Sequence, residues 1–226
     1  RLQTTDSGGE TYMEEFILNV NDLNETPTDL ILSSSTFNEN IAAASVIATL
    51  SSTDEDSGDT HSYALVEGTG DMNNDVFSID GSNLIINESP DYESKSSYSI
   101  RLQTTDSGAQ SYVEAFTFSV NNLNDTPTDL TLSSSSFDEN IDAASVIATL
   151  SSTDVDSSDT HSYALVEGTG DTDNDSFTID GSNLIINSSP DYESKSSYTV
   201  RLQTTDSGGE TYMEEFILNV NDLNET

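Results

Sequence analysis

The sequence predicts an all-β protein made of tandem Ig-like Greek-key β-sandwiches, each of about seven strands. Residues 27–126 align without a gap with residues 127–226, and 23 of the 100 aligned positions differ. Duplicated units of this kind share one fold. Short segments alternate apolar and polar residues and are rich in β-branched and aromatic side chains, as strands are. No segment keeps a helical period.

The repeat divides the chain into three parts. Residues 27–126 and 127–226 are complete units, each long enough for an autonomous small domain. Residues 1–26 are identical to residues 201–226, so we expect them to be the C-terminal tail of a preceding repeat. Residues 123–128 alone separate the last strand of one unit from the first of the next, and Pro127 restricts this linker. Consecutive sandwiches should therefore lie end to end.

Seven strands are predicted in the first complete unit, in the order 28–32, 46–52, 62–66, 77–79, 84–87, 97–104 and 112–120. Turn-forming residues separate them, with a loop at 68–71 and tight hairpins at 80–83 and 106–108. Alternate apolar positions along each strand should turn inward between two sheets. The predicted core is Leu30, Leu32, Phe37, Val46, Ala48, Leu50, Tyr63, Leu65, Phe77, Ile79, Leu84, Ile86, Tyr98, Ile100, Leu102, Phe116, Phe118 and Val120.

The chain is strongly acidic. It has 42 Asp and Glu residues against 5 Lys and Arg, which gives a formal net charge of −37. This charge argues against nucleic acid and anionic membrane surfaces as direct partners and favours cations. Two carboxylates about 5 Å apart repel by roughly 3 kcal/mol at an effective dielectric of about 20. Scattered acids would form a solvated surface, whereas acids that cluster inside a fold need a counterion.

The chain has no cysteine, so neither a disulfide nor a thiolate metal site stabilises it. A structural metal ion is another way to stabilise a domain with a modest core, and calcium fits that role outside cells. The longest mostly apolar run, residues 41–50, is too short to cross a bilayer. We therefore expect an extracellular chain, secreted or at the cell surface, that does not insert directly into a membrane.

Five motifs recur in the same order in both units. In the first unit they are Phe-Asn-Glu-Asn at 37–40, Thr-Asp-Glu-Asp at 53–56, Asp-Tyr-Glu at 91–93 and Thr-Asp-Ser-Gly at 105–108, and Val-Asn-Asp-Leu-Asn-Glu-Thr-Pro at 20–27 leads into it. Along the whole chain this set resembles the cadherin repeat, in particular the cadherin-like tandem repeats of large bacterial surface proteins.

The resemblance implies that Ca²⁺ binds at the junction of consecutive repeats, held by both repeats and the linker. Calcium takes roughly six to eight oxygen ligands, more than one short loop here supplies, so binding would lock the two repeats together. The implied ligands of the central junction are Glu39, Asp91, Glu93, Asn122, Asn124, Asp125, Asp154, Asp156 and Asp206. Those of the first junction are Asp22, Asn24, Glu25, Asp54, Asp56 and Asp106, and those that the last repeat offers are Glu139, Asp191, Glu193, Asp222, Asn224 and Glu225.

The central junction departs from the family pattern at one position. Asp22 and Asp222 begin the linkers of the other copies, but Asn122 stands here. An amide oxygen carries less charge than a carboxylate, so we expect weaker calcium binding at this junction.

A second acidic motif, residues 171–175 with the sequence Asp-Thr-Asp-Asn-Asp, resembles the start of an EF-hand loop, and residues 71–75 are its counterpart. Gly is missing from the sixth position and Glu from the twelfth. The motif therefore does not predict an EF-hand, and a peripheral cation is the alternative.

We expect no enzymatic activity. His61 and His161 are copies of one residue, each at the start of a predicted strand, which favours a structural role. The Ser-rich runs at 33–35 and 133–136 lack a nucleophile-elbow pattern. No carboxylate pair is distinguished by a pocket, and an active site would have been duplicated with the module.

We therefore predict a calcium-dependent stalk of a bacterial adhesin, in which calcium between neighbouring repeats stiffens the array for cell attachment or biofilm formation. One alternative is a module that binds a glycan or another copy of itself directly. The absence of Trp and the near identity of the units disfavour it, although nine Tyr are present. The other is a surface filament assembled by strand addition through residues 1–26, whose two strands cannot bury their apolar face alone.

Overall fold

The chain divides into two compact units, Arg1–Asn121 and Asn122–Thr226. A computed structural model describes residues 1–224. Each unit contains one complete repeat, folded as a β-sandwich of two four-stranded sheets, which confirms the predicted fold class. The helices of the described residues are single 3₁₀ turns, Asn74–Val76 and Asn174–Ser176, and none is long or apolar enough to cross a bilayer.

The first unit begins with a short hairpin, β1 (Leu2–Thr5) and β2 (Thr11–Glu14), which the complete repeat follows. The strands of that repeat are β3 (Asp29–Leu32), β4 (Thr36–Asn38), β5 (Ser45–Thr53), β6 (Ser62–Leu65), β7 (Phe77–Asp80), β8 (Asn83–Ile86), β9 (Ser97–Thr105) and β10 (Ser111–Asn121). One sheet has the order β3-β5-β8-β7 and the other has the order β4-β10-β9-β6.

The second unit repeats this arrangement. Its strands are β11 (Asp129–Leu132), β12 (Ser136–Asp138), β13 (Val146–Thr153), β14 (Ser162–Leu165), β15 (Phe177–Asp180), β16 (Asn183–Ile186), β17 (Ser197–Thr205) and β18 (Thr211–Asn221). The sheets have the orders β11-β13-β16-β15 and β12-β18-β17-β14.

Strand β4 is the element that the sequence did not reveal. It pairs in parallel with the end of β10, with Phe37 opposite Val120, whereas β3 pairs antiparallel with β5 in the other sheet. The chain therefore crosses from one sheet to the other between Leu32 and Thr36. Three residues are too few to display an alternating pattern, so only Phe37, correctly placed in the core, pointed to this segment.

The core lies between the two sheets and agrees with the predicted set except at strand β5. Val46 was predicted to be buried but is 54% exposed, while its neighbour Ile47 is 9% exposed. A register shift between Val46 and Ala48, where β5 pairs with β8, explains the error. Such a bulge adds one residue to the strand and moves the inward-facing position by one. Leu32, Tyr63, Leu65, Ile79 and Phe116 are partly buried against the core.

Residues 1–24 and 201–224 share one sequence but not one structure. In the second repeat the hairpin β17–β18 pairs continuously from Ser197 with Asn219 to Thr205 with Thr211. In the first unit β1 and β2 pair over four positions only, and residues 15–28 form no strand. Leu18 is 91% exposed whereas Leu218 is 0% exposed. The longer hairpin therefore depends on packing against a second sheet, which β1 and β2 lack.

The bulge in β5 makes a direct prediction about stability. Replacing Ile47 and Ile147 by Ala should lower the free energy of unfolding of each repeat by about 2–4 kcal/mol, because each change leaves a cavity in the core. The matched variant V46A/V146A truncates exposed side chains and should cost less than about 1 kcal/mol per repeat. Urea denaturation followed by circular dichroism measures both, and equal losses would contradict the placement of Ile47 in the core.

Candidate functional site

Acidic side chains meet in three kinds of cluster. Within each cluster, one carboxylate oxygen from every member lies within 4.8 Å of the others. A calcium ion about 2.4 Å from each oxygen can bridge such separations. The glutamate cluster is Glu39, Asp91 and Glu93 in the first repeat, and Glu139, Glu193 and Asp222 in the second. The aspartate cluster is Asp54, Asp59 and Asp106, or Asp154, Asp159 and Asp206, and the linker cluster is Asp22, Glu25 and Asp56.

Glu39 anchors the glutamate cluster from the end of β4. It is 1% exposed, and its Oε2 accepts a 2.7 Å hydrogen bond from the Tyr92 amide. Asn40 follows with a φ of 59°, and its amide donates to the Pro90 carbonyl at 2.8 Å. The left-handed Asn40 thus turns the chain so that the buried Glu39 meets the acidic segment at 91–93.

In the second repeat the glutamate cluster also contacts the chain that leaves the sandwich. The Leu223 amide donates a 2.6 Å hydrogen bond to Glu139 Oε1, and the Tyr192 amide donates to Oε2 at 2.9 Å. Both oxygens of a carboxylate that is 1% exposed are therefore held in place. Asp222, next to Leu223, completes the cluster where the chain leaves β18.

Asp91 is kept ionised by its own turn. The Ser94 hydroxyl donates to Oδ2 at 2.8 Å and the Ser94 amide to Oδ1 at 3.1 Å, and these hydrogen bonds hold the pKa of Asp91 below its usual value. Ser194 lowers the pKa of Asp191 in the same way. Asp191 is nevertheless outside the second glutamate cluster, where Asp222 is the third member.

The aspartate cluster and the glutamate cluster lie at opposite ends of the β9–β10 hairpin. Asp106 directly follows β9, whereas Glu39 lies beside the end of β10, and these two strands run antiparallel. The side chain of Asp54 comes from the segment after β5 and accepts hydrogen bonds from the Asp56 amide at 3.2 Å and from His61 Nε2 at 3.1 Å. Partial burial raises the pKa of Asp54, but these bonds outweigh it and the net pKa is lowered. His61 thus has a structural partner.

The third member of the aspartate cluster is held by a turn. Asp106 is 6% exposed, and its Oδ1 accepts a 2.8 Å hydrogen bond from the Gln110 amide. In the second repeat burial raises the pKa of Asp206, yet hydrogen bonds from Asn124 and from the Glu210, Gly209 and Gly208 amides lower it below its usual value. In the second repeat the turn therefore favours the ionised form of Asp206.

Linker residues dock onto these carboxylates within each unit. Asn24 Nδ2 donates to Asp106 Oδ2 at 3.1 Å, and the Glu25 amide donates to Asp56 Oδ2 at 2.8 Å. The second unit has the same two bonds, at 3.0 and 2.7 Å. In the first unit Asp54 belongs to the aspartate cluster and Asp56 to the linker cluster. Burial raises the pKa of Glu25, and the negative charges of Asp56 and of other nearby acidic residues raise it further.

A glycine makes room for the docked asparagine. A Cβ on Gly108 would lie 2.0 Å from Asn24 Oδ1, and one on Gly208 would lie 1.9 Å from Asn124 Oδ1. Both separations are far shorter than a van der Waals contact. The Gly of the Thr-Asp-Ser-Gly motif is thus required by the close approach of the linker.

In the loop at residues 71–75, whose sequence resembles the start of an EF-hand, polar side chains form hydrogen bonds with backbone groups. Asn74 Oδ1 accepts from the Arg101 amide at 2.9 Å and Asn74 Nδ2 donates to the Val66 carbonyl at 2.9 Å. Asp71 Oδ2 accepts from the Gly68 amide at 2.8 Å. In the second repeat Asp173 accepts from the Thr199 amide at 2.8 Å and forms an ion pair with Lys195. The polar side chains of this loop join strands β6 and β9.

Most of the predicted ligands lie in clusters. Among the described residues, the three-carboxylate clusters leave out seven predicted ligands, which are Asn24, Asp125, Asn124, Asn122, Asp156, Asp191 and Asn224. Glu225 lies outside the described residues. Sequence reasoning missed Asp59 and Asp159, and the available signal was their position two residues before the histidine that binds Asp54 or Asp154.

No protein-family model matches the chain, and no curated protein is significantly similar to it in sequence. Solved structures are similar to it. The extracellular domain of protocadherin GammaB4 has a TM-score of 0.60 at 19% identity, over 98% of this chain and 42% of that one. The EC1-2 region of human protocadherin-24 has a TM-score of 0.66 at 18% identity, over 89% of this chain and 100% of that one. The cis-dimer of protocadherin gammaB7 EC3-6 has a TM-score of 0.56 at 22% identity, over 87% of this chain and 48% of that one.

These likenesses concern the fold. The chain spans less than half the length of the GammaB4 and gammaB7 chains that it matches. With identities of 22% or lower, the similarity shows a cadherin-like β-sandwich, present in tandem as the sequence predicted.

The close approach at Gly108 predicts a specific coupling. Gly108→Ala should drive Asn24 away from Asp106 and lower the free energy of unfolding of the first unit by about 1–2 kcal/mol, because a hydrogen bond to a charged group is lost. Gly58→Ala is the matched control, since no atom lies within 4 Å of a Cβ at that position. In an Asn24→Ala background, G108A should cost little. Urea denaturation of the four variants measures the coupling, and an equal cost of G108A in both backgrounds would contradict it.

Proposed function

We propose that this chain is part of a calcium-dependent extracellular adhesion stalk, in which calcium at the repeat junctions stiffens an array of cadherin-like sandwiches. The array would project from a cell surface and serve attachment or biofilm formation, in the manner of bacterial adhesins. The carboxylate clusters are the observation that supports the proposal most strongly.

The clusters need a cation because the repeat holds like charges together with few positive groups to balance them. The whole chain has 5 Lys and Arg against 42 Asp and Glu. Within the described residues, Lys195 is the only Lys or Arg in an ion pair, and its partner Asp173 lies outside the clusters. Carboxylate and carbonyl oxygens suit hard cations such as Ca²⁺, whereas Zn²⁺ prefers nitrogen and sulfur ligands. Calcium therefore fits these clusters best.

The position of the clusters along the chain supports a role at repeat junctions. Asp222 and Leu223 join the glutamate cluster as the chain leaves a repeat. Asn24 and Glu25 bind the carboxylates of a repeat just before the chain enters it. In an array of such repeats, one short linker would therefore reach the glutamate cluster of the repeat before it and the aspartate cluster of the repeat after it. Calcium bound along that linker would restrict its motion.

Calcium should stabilise and straighten the metal-free protein. At a free concentration about 100 times Kd, one site adds about 2.7 kcal/mol, which corresponds to a rise in Tm of about 10 °C or more for a domain of this size. Differential scanning calorimetry measures Tm, and small-angle X-ray scattering measures the maximum dimension, which should increase. NaCl of equal ionic strength is the control for simple charge screening.

A Tm and a scattering curve that respond equally to NaCl and to calcium would refute the proposal. The acidic clusters would then be solvated surface, and direct binding of a glycan or of another copy would become the better explanation.

Asn122 allows a test of the junction itself. It stands where the second repeat has Asp222, the third member of a glutamate cluster. Because calcium affinity depends on the charge of the ligands, Asn122→Asp should tighten binding at the central junction by about tenfold. Asp222→Asn is the mirror control and should weaken binding at the end of the second repeat. Isothermal titration calorimetry measures both, and an unchanged affinity in N122D would remove Asn122 from the ligand set.

Self-association is a second candidate function, favoured by residues 1–26. We propose that these residues are the last two strands of another such repeat, because they repeat the sequence of β17 and β18. Val20 is 97% exposed although its counterpart Val220 is 4% exposed. A second copy of this chain could cover this exposed apolar segment, and one of the similar structures is a cis-dimer. The molecular mass from small-angle X-ray scattering distinguishes self-association from a monomeric stalk. Strand addition predicts a multimer, and deletion of residues 1–26 should dissociate it.

A further inference from the structure

We propose that Asp59 and Asp159 are calcium ligands, and that each aspartate cluster is a cation site contained in a single repeat. The inference rests on the proposed calcium function and adds a ligand to it. It starts from the hydrogen bonds of the first aspartate cluster, whose three carboxylates have six oxygens.

Five of these six oxygens accept a hydrogen bond. Asp54 accepts from the Asp56 amide and from His61, and Asp106 accepts from the Gln110 amide and from Asn24. Asp59 Oδ1 accepts a 2.6 Å hydrogen bond from the Ser107 hydroxyl.

Asp59 Oδ2 is the exception. It is almost completely withdrawn from solvent and accepts no hydrogen bond. Leaving a buried carboxylate oxygen unpaired is costly, and the cost rises because one oxygen of Asp59 lies within 4.8 Å of oxygens of two more carboxylates. A cation beside Asp59 Oδ2 would remove both penalties at once.

The second repeat has the same pattern. Asp159 Oδ2 is also withdrawn from solvent and without a hydrogen bond, and Ser207 donates to Oδ1 at 2.7 Å. Asp154 and Asp206 have the same acceptors filled as their counterparts. The orphaned oxygen is therefore a regular feature of the repeat.

The members of the cluster come from two loops of one sandwich. Asp54 and Asp59 lie between β5 and β6, and Asp106 lies in the turn after β9. No carboxylate of a preceding repeat is needed to assemble this triad. Each aspartate cluster should therefore bind a hard cation through its own three carboxylates, with the linker asparagine fixing one of them.

The test compares single Asn variants of the full chain by isothermal titration with calcium alone. Asp59→Asn keeps the shape and the acceptor for Ser107 but removes the charge, and so does Asp159→Asn. Each variant should weaken the affinity for one equivalent of calcium by about tenfold or more. The factor should be the same for both variants, because the two clusters are equivalent. Asp80→Asn and Asp180→Asn are controls, since these exposed residues change the net charge equally and lie outside the clusters.

Stability separates a ligand from a merely structural residue. Without calcium, D59N and D159N should have a Tm equal to or above that of the unchanged chain, because like-charge repulsion falls. With calcium they should show a smaller rise in Tm than D80N and D180N. If the unchanged chain binds calcium and D59N and D159N bind it equally well, Asp59 and Asp159 are not ligands while the proposed function stands. If the unchanged chain binds no calcium, the proposed function fails and this inference fails with it.

Discussion

Carboxylates that repel one another lie within 4.8 Å in each repeat, and burial and hydrogen bonds keep them there. Glu39 and Glu139 are 1% exposed, and Asp106 and Asp206 are 6% exposed. Backbone amides, the His61 ring and the Asn24 side chain fix their positions. At about 5 Å a pair of this kind costs roughly 3 kcal/mol at an intermediate dielectric. The fold therefore maintains an arrangement that a bound cation would make favourable.

The sandwich supplies the frame for this arrangement. The hairpin β9–β10 joins the glutamate cluster near the end of β10 to the aspartate cluster at the end of β9. A unit of about 100 residues buries only about two-thirds of its surface, and no disulfide reinforces it. Hydrogen bonds from loop amides thus position the carboxylates, and they also tie the loops to the core.

Sequence patterns predicted the sandwich and most of the clustered acids, because alternation and strand-end motifs are local signals. They failed where position depends on a distant partner. The three-residue strand β4 is defined by its pairing with β10, 80 or so residues away, and the burial of Ile47 follows from a bulge against β8. Asp59 was missed because it lies outside the recurring acidic motifs, and the folded loop between β5 and β6 is what brings it to Asp54 and Asp106.

Residues 1–24 and 201–224 have the same sequence, so comparing them shows which features of the hairpin depend on local sequence and which depend on tertiary packing. Leu2 pairs with Glu14 and Thr5 with Thr11, and the second copy has the same register, with Leu202 opposite Glu214. The local sequence is thus enough to specify the turn and the pairing next to it. It does not specify strand length, since Leu18 is exposed in one copy and its counterpart is buried in the other. Apolar residues extend a strand only where another sheet removes them from water, and that sheet belongs to the tertiary structure.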